Sequence, residues 1–82
     1  MSTEREALMT TVVTLLSAIA PELEPQALEP ARPLRGQLDL DSMDWLNFLL
    51  SLHQRFGVDI PEVDYARLVS LNDVVDYLQA RA

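Results

Sequence analysis

Four of the five prolines, Pro21, Pro25, Pro30 and Pro33, fall within a short stretch early in the chain, and no regular element can run through them. Proline lacks a backbone N–H, fixes φ, and disfavours the helical conformation in the residue before it. Gly36 adds a further break. The chain is therefore split into a segment before residue 20 and another after residue 41, joined by a connection of roughly 20 to 41. Connections this long in a compact domain are uncommon and usually serve a function. Leu28, Leu34, Leu38 and Leu40 give it apolar anchors, so it is expected to be ordered rather than a free linker.

The flanking segments carry helical periodicity. Leu8, Val12, Leu15, Leu16 and Ile19 share one face, which predicts a first helix over roughly 3 to 19. Thr3 and Glu6 have the spacing of a capping box. A second helix is expected to start at Asp41-Ser42-Met43-Asp44. There Asp41 is a good N-cap, and Asp44 meets the helix dipole favourably. It runs through Leu46, Leu49, Leu50, His53 and Phe56 and stops at Gly57. Met43, Trp45, Phe48 and Leu52 lie outside that stripe, so one apolar face is expected to stay partly exposed. Val58-Asp59-Ile60-Pro61 leads into a short helix of roughly 62 to 68. Ser70 and Asp73 then open a last helix of roughly 71 to 80, with Leu71, Val74, Val75 and Leu78 on one face. No strand pattern stands out. The fold class is all-α: one domain over residues 1–82, with three main helices and a short one around a single core.

Composition narrows the function. With 82 residues, a deep cleft between two lobes is not expected. The absence of cysteine excludes disulfides, thiolate metal sites and cysteine nucleophiles, and His53 is the one histidine. The formal charge is −7, with 13 acids against 6 bases, all of them arginine. That balance argues against nucleic acid and favours partners with basic surfaces. No apolar run reaches the roughly 18 residues of a membrane span. The first residues lack the layout of a signal peptide, so a cytoplasmic monomer is expected. A Ser-His-Asp triad is excluded on one helix, because Ser42 and His53 lie about 16 Å apart along its axis. The acids Asp41, Asp44, Glu22 and Glu24 sit at helix starts and in loops, where capping and solvation account for them.

What remains is Leu38-Asp39-Leu40-Asp41-Ser42-Met43-Asp44. This stretch resembles the phosphopantetheine attachment site of acyl carrier proteins, whose core is Asp-Ser-Leu, often followed by Asp. Leu46, Phe56, Ile60-Pro61 and Asp76-Tyr77 fall at that family's later positions without a gap. The resemblance implies a four-helix bundle of acyl-carrier type that is no enzyme. It implies a 4'-phosphopantetheine arm on Ser42, with Asp41 assisting its attachment. It also implies partners: a phosphopantetheinyl transferase and acyl-loading and acyl-processing enzymes, met through Met43, Asp44, Trp45, Leu46, Asn47, Phe48 and Ile60. Serine beside aspartate at a helix start is also an ordinary cap, and that reading stays open here.

The chain departs from the family in charge. The acid usual five positions after the serine is Asn47, the cluster before the phenylalanine is His53-Gln54-Arg55, and the glycine three before the serine is Asp39. Residues 4 to 29 hold five acids against Arg5. Partners are therefore expected to rely on apolar contact through Met43, Trp45, Leu46 and Phe48 more than on charge steering. This points to a specialised fatty-acid, polyketide or lipid-modifying pathway. An aminoacyl or peptidyl carrier and an unmodified carrier-like adaptor are the alternatives.

Overall fold

In the computed structural model, α1 spans Ser2–Ile19, α2 Leu34–Gln37, α3 Ser42–Phe56 and α4 Leu71–Arg81. Two 3₁₀ helices, Pro25–Ala27 and Glu62–Arg67, lie in the connections. The described residues are 2–81, with side chains from Glu4 onward. Three main helices with a short one before the last form the all-α bundle that the periodicity predicts. No strand occurs among the described residues, only an isolated bridge between Pro33 and Ser70.

Helix α1 packs against both α3 and α4. Val12 and Leu16 from α1, Phe48 and Leu52 from α3, and Val74, Val75 and Leu78 from α4 are all below 2% exposed and make the centre of the core. Each such side chain contributes roughly 1.5–3 kcal/mol on leaving water. Helix α4 starts as its sequence dictates. The Ser70 hydroxyl accepts from the Asp73 N–H, and the Asp73 carboxylate accepts from the Ser70 N–H, both at 3.1 Å. At the start of α1, Thr3 lies inside the helix rather than at its cap, and its side chain is outside the described residues.

The long connection is ordered. Leu28, Leu34 and Leu40 are buried, and Leu38 is half-buried. The Leu34 N–H donates to the Val69 carbonyl at 2.8 Å and the Asn72 N–H to the Pro30 carbonyl at 3.0 Å, which fastens the connection to the start of α4. Gly36, read from sequence as a break, instead sits inside the single turn of α2.

The larger correction concerns α3. Its expected core stripe through Leu46, Leu50 and His53 faces outward, with Leu46 46% and Leu50 51% exposed. Trp45, Phe48 and Leu52, read from sequence as lying outside the narrowest core stripe, are buried with Leu49. Trp45 and Phe48 pack ring against ring, with centroids 5.4 Å apart. They cannot form the outer recognition face assigned to them. The physical reason is the partner: α3 packs against α1, and Trp45, Phe48, Leu49 and Leu52 join the buried side chains of α1, α4 and the connection in one core.

Candidate functional site

The site is built at the start of α3. Leu40, 7% exposed, anchors the chain in the core just before the helix. Asp41 is extended, and its Oδ1 accepts from the Asp44 N–H at 2.8 Å, while its carbonyl accepts from Trp45 N–H at 3.0 Å. The cap is thus supplied by Asp41. Ser42, the first helical residue, is exposed, and its hydroxyl forms no hydrogen bond to a described residue. The Ser42 and Met43 N–H groups are also without a partner among the described residues, as befits the first turn of a helix. An accessible hydroxyl beside free N–H donors suits attachment of an anionic group.

From Ser42 an exposed stripe runs down α3 through Met43, Leu46, Asn47 and Leu50, with Asp44 half-buried beside it. Met43 is 66% exposed. The stripe borders a groove of about 370 Å³ walled by Leu46, Leu49 and Leu50 on one side and Ile60, Pro61 and Tyr65 on the other. The structure thus brings Met43, Leu46, Asn47 and half-buried Ile60 to one side of the molecule, and places Trp45 and Phe48 beneath it.

Two contacts hold the groove's walls. His53, expected at the core margin, is exposed, and its Nδ1 lies 2.9 Å from the Val58 carbonyl oxygen. A carbonyl only accepts, so Nδ1 carries the proton and donates it. This staple and Gly57, in the left-handed conformation at φ 67°, fix how the chain leaves α3. On the other wall, the Tyr77 hydroxyl donates to Asp64 Oδ2 at 2.6 Å, tying the second 3₁₀ helix to α4. Arg67 and Arg81 each approach Asp64 at 3.6 Å, and the Arg81 guanidinium lies 3.6 Å from the centre of the Tyr77 ring. Burial, and then the bond to Asp64, push the Tyr77 phenol above its ordinary value.

Sequence reasoning missed Leu50, Tyr65 and the Asp64–Tyr77 tie. A signal for the exposed stripe did exist. Met43, Leu46, Leu50 and Gln54 form a row that includes Asn47, whereas Trp45, Phe48, Leu49, Leu52 and Phe56 form one with no polar member. Nothing local marks the tie, because its partners stand 13 residues apart.

A family model described as "Phosphopantetheine attachment site" matches residues 10–78. The chain is 33% identical over 57 residues to an acyl carrier protein of Campylobacter concisus, covering 70% of this chain and 74% of the relative. A Campylobacter curvus acyl carrier protein is 30% identical over the same shares. A meromycolate extension acyl carrier protein of Mycobacterium leprae is 33% identical over 57 residues, and the match spans half of that relative's length.

Proposed function

Because the chain belongs to the acyl carrier protein family, whose covalent group is 4'-phosphopantetheine, we propose that this group is attached at Ser42 Oγ and that residues 1–82 act as one carrier domain. The observation that carries this reading is the division of labour between neighbours. Asp41 does the capping, and the adjacent Ser42 hydroxyl is left exposed and unengaged. A phosphodiester there would lie by the free N–H groups of the first turn. The Asp41 and Asp44 carboxylates oppose it, but water at this surface screens the repulsion, which costs little.

The bound group supplies a thiol on which acyl intermediates are held as thioesters. The chain's own residues do the rest. Leu40 fixes the root of the arm, α3 keeps Ser42 at the surface, and the molecule carries cargo while partner enzymes perform the chemistry. Asp41, whose second carboxylate oxygen is free of the cap bond, would assist attachment by offering that oxygen to a divalent cation held by the modifying enzyme. Met43, Leu46 and Asn47, with Asp44 and Ile60 at the margin, present the surface read by the transferase and by acyl-loading and acyl-processing enzymes. Trp45 and Phe48 support that surface from below.

The apolar, weakly charged face of α3 favours a specialised fatty-acid, polyketide or lipid-modifying pathway. The meromycolate extension relatives are consistent with that direction. Intact-mass measurement tests attachment: incubation with coenzyme A and a phosphopantetheinyl transferase is expected to add one arm, and Ser42→Ala to add none. No mass gain with several transferases overturns the reading in favour of an unmodified adaptor.

A further inference from the structure

A second surface lies in the connection between α1 and α3. Leu23, Ala27, Leu28 and Leu38 form the floor of an open groove of about 360 Å³. Glu22, Glu24 and Asp39 stand around it, all exposed, and none of the three carboxylates accepts a hydrogen bond or ion pair from a described residue. The groove is preformed. The Gln37 side chain accepts from Glu29 N–H at 2.7 Å and donates to the Glu29 and Arg32 carbonyls at 2.8 and 3.0 Å, stitching the turn beneath it.

We propose that this groove docks a protein segment in which an apolar side chain is flanked by lysine or arginine. The apolar floor takes the anchor, and the three carboxylates take the flanking cations. Small metal ions do not fit, because no group of three carboxylates or histidines among the described residues converges on one point. Phosphate-bearing polymers and anionic lipid surfaces are repelled by the same rim. Its place matters: Asp39 is three residues before Ser42, so the two Cα atoms are at most about 11 Å apart. A segment seated here lies against the root of the arm. The negative charge sparse along α3 is thus concentrated where it can orient a partner by a second contact. A rigid groove loses little entropy when it is filled.

The inference rests on the carrier reading only for the owner of the segment, an enzyme that works on the arm. Its test therefore uses Ser42→Ala, which carries no arm. The probe is a short peptide alternating leucine and arginine, titrated at low salt while backbone amide shifts are followed by NMR. Shifts are expected to cluster within residues 22–39. Removing the rim charges with Glu22→Gln, Glu24→Gln and Asp39→Asn is expected to weaken binding about tenfold, the scale of a few exposed ion pairs. Removing three charges elsewhere with Glu4→Gln, Asp59→Asn and Glu62→Gln is expected to change it by less than about twofold. Equal losses in the two variants overturn the proposal, since whole-molecule charge then suffices. Equal binding of a peptide alternating glycine and arginine also overturns it, because the apolar floor then contributes nothing. Shifts on α3, or the same shifts from raising the protein concentration alone, overturn it as well.

Discussion

Two long faces of α3 both carry large apolar side chains and have opposite fates. One presents Met43, Leu46 and Leu50 to solvent, and the other buries Trp45, Phe48, Leu49 and Leu52. The difference teaches that apolar content does not decide which side of a helix holds a small domain together. Bulk and the absence of polar groups do: the buried face carries Trp45 and Phe48 and no polar side chain, while the exposed one carries Asn47. The same division recurs at the start of the helix. Asp41 is spent on holding its first turn, and Ser42 is left free.

Substitution on each face breaks the comparison most directly. Phe48→Ala is expected to destabilise the fold by about 3–5 kcal/mol, enough to threaten folding of so small a domain. Leu50→Ala is expected to stay within about 0.5 kcal/mol of the parent. Urea titration followed by fluorescence of Trp45, the chain's one tryptophan, measures both. If Leu50→Ala proved as costly as Phe48→Ala, the assignment of faces would be wrong. At the far end of the helix, Gly57→Ala forces a Cβ into the left-handed region, although beyond its chain neighbours no atom of the described residues lies within 4 Å of it. Its expected cost is about 1–2 kcal/mol from backbone strain alone. At the near end, Asp41→Ala is expected to cost about 1 kcal/mol through the lost cap. Ser42→Ala should cost less than about 0.5 kcal/mol, because its hydroxyl bonds to no described residue. Comparable losses from the two would return Ser42 to a capping role.

The smallest effect lies behind the groove. The Tyr77 phenol is held above its ordinary value near 10 by burial and by the Asp64 bond. Its stabilising contribution is therefore complete below about pH 10 and is lost as pH rises through the raised folded-state value. Tyr77→Phe should flatten this alkaline fall in melting temperature. An unchanged alkaline limb in that variant would show that other groups cause it.

Residues that act on their immediate neighbours were legible from sequence. The prolines mark the connection, Asp41 and Gly57 bound α3, Ser70 and Asp73 open α4, and Ser42 follows from the cap beside it. Each depends on a backbone group a few residues away, so the spacing alone carries the information. The short turn of α2 escaped because Gly36 and the prolines argue against any helix, while burial of Leu34 and the tertiary bond from its N–H to the Val69 carbonyl help hold the turn in place.

By itself, then, the sequence determined where α3 begins and ends and where α4 begins, that the domain is all-α, and which hydroxyl stands at the head of α3. The tertiary structure decided which side of α3 is buried, and with it that Trp45 and Phe48 lie in the core beneath the exposed stripe rather than on it. It also decided that Tyr77 ties down Asp64 and that Glu22, Glu24 and Asp39 surround one groove. Caps and breaks are satisfied within a turn or two. Burial is a contest between faces, settled only when α1, α4 and the long connection close over one of them.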